Sequence, residues 1–360
     1  MKATLVLQNG LVFQGKSVGA AGTALGEVVF TTGMAGFEET LTDPVHAGQL
    51  LAQTYPMIGN YGITGEDMVS DRIWAHGLIV REACEVPSNF RCKMTLDTFL
   101  KEQGVVGIEG IDTRRLTRVL RDEGTMNGAV TTEYDSMSDE AKRQLLADIA
   151  AYSAKEAALA AIPAAETVLN PEGAPHVAFL DFGSQKGLAE ALAERGCKVT
   201  VLPGTQIARV GELHADGVVI GDGAGEPAWH ADVVPALKAL LDSGIPAFGI
   251  GLGHELAALA AGAELVKMQH GHHGVNKPVT ELSTGKVYTT NQDCGFLVKA
   301  DTLPADSKLI FVNTKDGSCA GVEYAAWNCR TVQFQPRTDG GSRGTVMLYD
   351  QFIETIKGVH

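Results

Sequence analysis

The chain has 360 residues, enough for two or three domains at roughly 150 residues each. Its 29 Lys and Arg face 43 Asp and Glu, a formal charge of −14, which argues against a phosphate backbone or an anionic membrane as partner. The composition, 45% hydrophobic and 20% charged, excludes a disordered chain, and no apolar run approaches the ~20 residues of a membrane helix.

Gln8-Asn9-Gly10 interrupts the first apolar stretch, so no signal peptide is expected. The six cysteines (Cys84, Cys92, Cys197, Cys294, Cys319 and Cys329) show no CxxC spacing and read as reduced thiols of a cytoplasmic protein. Runs of β type fall at 4–7, 27–30, 49–54 and 76–80, broken by Gly, Pro and Asn or Asp. Helices follow over 95–103 and 113–123, the second opened by Asp112 as N-cap. This predicts a mixed α+β domain over 1–131. Residues 132–175 form a helical segment and linker, with Leu145, Leu146 and Ile149 at helical spacing and Asn170-Pro171-Glu172-Gly173-Ala174-Pro175 at its end.

From 176 to 360 the pattern changes to alternating strands and helices. Strands at 177–180, 198–202, 217–220 and 246–250 alternate with helices at 186–195 and 233–242. Such near-continuous apolar strands between helices predict an α/β fold, a doubly wound, mostly parallel sheet that binds ligands at its strands' carboxyl ends. Shorter strands over 279–334 and a closing helix at 346–356 complete the chain, and no internal repeat is evident.

The strand at 246–250 enters Gly251-Leu252-Gly253 and then a helix over 254–262. A strand–tight turn–helix element presents its turn residue, and the helix N–H groups, at the sheet edge, which is where a nucleophile belongs. The turn residue here is Gly251, which has no side chain. A dinucleotide fingerprint fails as well, because its third glycine would fall on His254 or Leu256. Taken alone, these glycines read as a sharp turn.

Phe248-Gly249-Ile250-Gly251-Leu252-Gly253-His254-Glu255 resembles the nucleophile elbow of class I glutamine amidotransferases. Lys267-Met268-Gln269-His270-Gly271-His272-His273-Gly274-Val275-Asn276-Lys277-Pro278-Val279 is similar to a segment of one subfamily, the carbamoyl-phosphate synthetase small subunits. The first half adds Gly26-Glu27-Val28-Val29-Phe30, Met34-Ala35-Gly36-Phe37, Leu41-Thr42-Asp43-Pro44 and Tyr55-Pro56-Met57-Ile58-Gly59-Asn60-Tyr61-Gly62. Ser88-Asn89-Phe90-Arg91 and Gly110-Ile111-Asp112-Thr113-Arg114-Arg115-Leu116-Thr117 continue the series, so the resemblance spans the whole chain.

The resemblance implies an N-terminal small-subunit domain followed by an amidotransferase-like domain. It also implies a Cys–His–Glu triad that hydrolyses glutamine and passes ammonia to a large, ATP-using subunit. The triad positions here hold Gly251, Gln335 and Arg337. A Gln amide takes no proton at neutral pH, so no catalytic residue is expected to remain. The implied glutamine-binding positions are Val45, Gly223, Gly225, Leu252, Glu255, Asp293, Gly295 and Phe296. Val45 replaces a serine, Glu255 a glutamine and Asp293 an asparagine. The last two changes remove donors and set negative charge near a ligand carboxylate, which disfavours glutamine. Glu255 and Asp293 with Arg337 suggest a pocket plugged by an ion pair, with a cationic ligand as the other reading.

Three further groups bear on chemistry. Cys294, in Asn291-Gln292-Asp293-Cys294-Gly295-Phe296, is placed beside the pocket by the resemblance and is a candidate replacement nucleophile, against a simple wall residue. His270, His272 and His273 could ligate zinc, but no Cys, Asp or Glu accompanies them at ligand spacing, so a structural loop is the preferred reading and no metal is expected. His254 belongs to the elbow and is not a base by itself. The expectation is a small subunit in a heterodimer that has lost glutaminase activity and is a structural or regulatory partner of an ammonia-using large subunit. No cofactor is expected in this chain, ATP and metal ions belonging to the large subunit, and neither nucleic acid nor membrane is expected as partner. A stand-alone ligand-binding protein, or a glutaminase working through Cys294, stays open beside it.

Overall fold

The computed structural model describes residues 1–336 and 343–358, which divide into two compact units, Met1–Ala158 and Leu159–His360. In the first unit seven strands close into a barrel. They are β1 Lys2–Leu7, β2 Val12–Gly19, β3 Thr23–Thr31, β4 Gln49–Ile58, β5 Gly77–Ala83, β6 Val106–Glu109 and β7 Met126–Thr131. Their order around the barrel is β1-β2-β6-β5-β4-β3-β7. The neighbours from β3 through β4 and β5 to β6 are parallel and the rest antiparallel. Helices α1 Phe37–Thr42, α2 Leu96–Glu102, α3 Thr113–Glu123, α4 Asp139–Ala151 and α5 Lys155–Ala160 accompany it.

The parallel strands are apolar on successive residues because both of their faces are covered. Leu50, Ala52, Ile79 and Ile108 join a cluster with Leu116 and Leu120 of α3, whereas Leu51, Leu78 and Val80 join one with Leu96, Phe99 and Leu100 of α2. The helix starts follow the sequence: Asp112 accepts the Arg115 N–H at 2.9 Å and Thr95 that of Thr98 at 3.2 Å.

The sequence reading leaves β2, β6 and β7 unassigned. Gly15, Gly107 and Gly128 look like strand breakers, yet each lies in or beside a neighbour's path where no Cβ fits. At Gly128 it would press on Val28 and the Val6 carbonyl, and at Gly107 on Val18 and its carbonyl. The helical segment expected within 132–175 is formed by α4 and α5. α4, capped by Ser138, buries Leu145 and Ile149 against Val6 and Ala129 of the barrel, so it belongs to the first unit. The unit boundary falls inside α5.

The second unit is a ten-stranded sheet with β8 Thr167–Leu169, β9 His176–Phe182, β10 Lys198–Pro203, β11 Gly217–Gly223, β12 Ala247–Ile250, β13 Leu265–Glu281, β14 Val287–Val298, β15 Ser307–Asn313, β16 Cys319–Tyr324 and β17 Cys329–Val332. The order is β14-β13-β15-β16-β17-β12-β11-β9-β10-β8. The core strands β17, β12, β11, β9 and β10 run parallel, as the alternating pattern predicts. Residues of α7 Val234–Asp242 and α8 Leu252–Ala260 join the cluster on one face, and those of α6 Lys186–Ala193 and α9 Met347–Lys357 the cluster on the other. The chain leaves β9 toward β10 on one side and β11 on the other, so the topological switch, where such sheets bind ligands, lies between β9 and β11. Where short strands and a histidine loop were expected, a 17-residue strand, β13, pairs instead with the 12-residue β14.

Two substitutions in α4 test its assignment to the barrel. Ile149→Ala, at a fully buried position, is expected to cost about 2–4 kcal/mol in urea unfolding. Leu146→Ala, at a neighbouring position 39% exposed, should change stability by less than about 0.5 kcal/mol.

Candidate active site

The site lies at the carboxyl ends of β9, β11 and β12. β12 ends at Ile250, and the chain turns through Gly251 into α8 with φ 55° and ψ −115°. A side chain in this backbone region costs on the order of 1–3 kcal/mol, which an elbow meets by its surroundings. Gly253, the second residue of α8, has no room for a Cβ because the Ile220 carbonyl occupies it. The local sequence therefore builds a true elbow. It lacks only the side chain an elbow normally presents.

The space is not empty. A Cβ on Gly251 would come closer than 3.0 Å to all three carboxyl atoms of Asp222. Asp222, the buried penultimate residue of β11, has its Oδ1 held by the N–H of Leu252 at 2.9 Å and by its neighbour Gly223 N–H at 2.8 Å. Leu252 is the first residue of α8, so the carboxylate sits on the positive end of the helix dipole. Its Oδ2 accepts from Gln335 Nε2 at 2.8 Å. That bond orients the Gln335 amide, whose Oε1 accepts from Gln185 Nε2 and Asn291 Nδ2, both at 2.8 Å. All four side chains are at least nine-tenths buried.

Gln335, at the implied base position, thus faces the elbow and works as a hydrogen-bond bridge. Arg337 lies outside the described residues. Glu255 Oε1 accepts from Gln333 Nε2 at 3.0 Å. Burial pushes the Glu255 carboxyl up to about 8, and the Asp222 charge adds to the effect against the Gln333 bond. Asp293 accepts the Gly274 N–H at 3.2 Å and stands 3.6 Å from His273 Nδ1.

The remaining implied pocket positions divide. Gly223 and Leu252 supply the N–H groups just described. Gly225 is exposed, with φ +89°. Gly295 and Phe296 lie half-buried on β14, where Lys267 Nζ stands 5.7 Å from the Phe296 ring. Val45 is buried in the first unit, in the turn Pro44–His46 whose cap Asp43 accepts the Val45 N–H at 3.2 Å.

Cys294 lies within a β-strand, not a loop, paired with His272. Burial, then the charges of Glu255, Asp293 and Asp222, push its thiol well above the ordinary range, the opposite of what a nucleophile needs. A second thiol–imidazole approach, Cys319 Sγ to His254 Nε2 at 4.0 Å, is equally inert. His254 Nδ1 bonds Thr331 Oγ1 at 2.7 Å, and Thr331 donates to the Val322 carbonyl. Burial holds His254 neutral, near 3, and lifts Cys319 to about 12. Among the histidines, His272 bonds Gln292 and Asp316 while its neighbour His273 lies against Asp293. Among the described residues no three His, Cys, Asp or Glu side chains converge as metal ligands.

Asp222, Gln185, Asn291 and Gln333 were not singled out in the sequence. The available signal was Asp222 itself, an acid between two glycines ending an apolar parallel strand.

Two measurements follow from this geometry. Gly251→Cys adds a side chain in strained backbone against the Asp222 carboxylate, and should lower the unfolding free energy by about 2 kcal/mol or more in a denaturant titration. Glu255 keeps its proton in the folded state up to about pH 8, whereas the unfolded carboxyl loses it near its ordinary 4.5. Between those values the folded state binds more protons, so wild-type stability falls as pH rises. Glu255→Gln removes that loss. It should gain on wild type by up to about 1.4 kcal/mol per pH unit across the window, with no such gain below pH 4.5.

Residues 5–130 match the family described as carbamoyl-phosphate synthase small chain, CPSase domain, and residues 178–355 match glutamine amidotransferase class-I. The carbamoyl phosphate synthase small chain of Pseudomonas syringae pv. tomato is 41% identical over 371 residues, covering 98% of each chain. That of Halomonas eurihalina is 38% identical over 374 residues, covering 99% of this chain and 98% of its own. A solved structure, of a glutamine amidotransferase from Thermotoga maritima, aligns over 51% of this chain and 94% of its own at 14% identity. Its TM-score of 0.37 is too low to add to the assignment. Both halves are thus matched, and the curated relatives are covered from end to end: the chain belongs to the carbamoyl-phosphate synthase small-chain family, with a class-I glutamine amidotransferase domain as its second half.

Proposed function

We propose that this chain is a small subunit that has lost glutaminase activity and serves as a structural or regulatory partner of an ammonia-using carbamoyl-phosphate synthetase large subunit. The observation that carries this is the elbow: Gly251 offers no nucleophile, and Gln335 bridges to Asp222 at the position of the base. Hydrolysis of an amide needs an attacking atom and a group to move its proton, and neither is present at the turn. The anion-stabilising N–H groups of Gly223 and Leu252 are engaged by Asp222, so a tetrahedral intermediate would find them taken. Cys294 does not rescue the reaction, since its thiol is buried among acids and stays protonated.

The partnership reading draws on the family of the whole chain and on its intact first-unit motifs. The pair would act in the cytoplasm as a heterodimer making carbamoyl phosphate for pyrimidine and arginine synthesis. The large subunit would hold ATP and its metal ions. No helix among the described residues is long and apolar enough to cross a membrane.

Reconstitution with a family large subunit tests this. Carbamoyl phosphate should form with ammonium but not with glutamine, and a glutamine-analogue electrophile should leave the chain unlabelled. Glutamine-dependent synthesis above the large-subunit background, or an adduct on Cys294, would refute the lost activity. Failure of the two chains to co-purify would refute the partnership.

A further inference from the structure

We propose that the outward face of α3 is a docking surface for the large subunit, on which Arg114, Arg118 and Arg121 receive carboxylates of that partner. At about 3.6 residues per turn these three positions fall within an arc of about 60°. They lie opposite Leu116 and Leu120, which are fully buried. All three arginines are exposed, as is Arg115 beside them, whose guanidinium lies 5.2 Å from the Phe13 ring. Every cationic side chain of this helix is an arginine, in a chain whose formal charge is −14.

The stripe is unfavourable to the helix that carries it. Beyond the cap residue Asp112, the first turn holds Arg114 and Arg115 and no acid, so cations stand at the positive end of the helix dipole. The acids Asp122 and Glu123 stand at its negative end, again the reverse of what the dipole favours. Arg114 and Arg118 are four positions apart and Arg118 and Arg121 three, spacings at which like charges repel. Internal relief is small. Asp122 meets Arg121 at 2.8 Å and Glu123 accepts from Asn9 Nδ2 at 2.8 Å, whereas Arg114 and Arg118 have no ion-pair partner among the described residues. The buried face of α3 obeys its local preferences and the exposed face departs from them, which is the mark of a surface shaped by something outside the chain.

The charge selects the occupant. Guanidinium groups take carboxylates in bidentate pairs, and arginine is enriched in protein interfaces where lysine is depleted. A nucleic acid or an anionic membrane would be repelled by the acidic remainder of the chain. A twofold pair of this chain through the same face would set one stripe against the other. A carboxylate-bearing surface of a different protein is the complement that remains, and the inference rests on the reading that the chain partners a large subunit.

The test uses the full chain and a family large subunit. Arg114→Gln/Arg118→Gln/Arg121→Gln should weaken the complex roughly tenfold or more at low ionic strength and flatten its salt dependence. Lys101→Gln/Arg143→Gln/Lys155→Gln makes the same change in charge at exposed helical positions of the same unit, and should bind like wild type. The isolated stripe variant should melt no lower than wild type, because repulsion along α3 is relieved. Should it fail to fold, Arg114→Gln and Arg118→Gln singly give the same decision against Lys101→Gln. Equal weakening by stripe and control variants, or by neither, would overturn the docking face while leaving the partnership standing. Failure of wild type itself to bind would overturn the partnership and this face with it. Salt-sensitive self-association of the isolated chain that the stripe variant loses, seen by sedimentation, would assign the stripe to a second copy and overturn the proposal.

Discussion

The Asp222 carboxylate on the head of α8 is the contact on which the second unit's site depends. An elbow directs helix N–H groups at a point where an anion is expected, and those groups are costly to bury unanswered. In an active enzyme the anion arrives with the substrate. In this chain it comes from the end of β11, across the space a nucleophile's side chain would need. Once the carboxylate is there, Gln335 has a reason to be an amide. It donates to Asp222 and accepts from Gln185 and Asn291, a linkage that a neutral imidazole with one donor and one acceptor does not reproduce.

The same burial decides the protonation of the neighbours. Burial raises the Glu255 carboxyl to about 8, lowers His254 to about 3, and raises the thiols of Cys294 and Cys319. Desolvation thus raises both thiols and lowers the imidazole, independently of the substitution at the elbow. The site is consistent in its parts: a buried, hydrogen-bonded polar cluster at the carboxyl ends of the parallel strands.

Much of the second unit was legible in the chain. Apolar runs of four to six residues between helices specify parallel strands, and the strand–Gly251–helix junction specifies an elbow. The first unit was harder. Gly15, Gly107 and Gly128 look like strand breakers, and their meaning is visible only when the strand they lie against is known. The histidine-rich segment around His272 read as a loop because its polar residues mask a strand that finds its hydrogen bonds on β14. Alternation of side chains across a sheet is a weak signal when both faces are partly polar.

The sequence by itself determined the family, the two-part organisation and the absence of a thiol at the elbow, because those follow from motifs and from the identity of single residues. It did not determine what fills the elbow. Asp222 and Gly251 are 29 positions apart, and Gln335 lies a further 84 along. Their meeting depends on β11, β12 and β17 lying side by side, and on burial that no local pattern records. Glu255 shows the same dependence: buried, it takes Gln333 as its donor, and burial pushes its carboxyl up to about 8. Residue identity fixed which side chains stand at the elbow, whereas tertiary contact decided which of the chain's own groups lies against it.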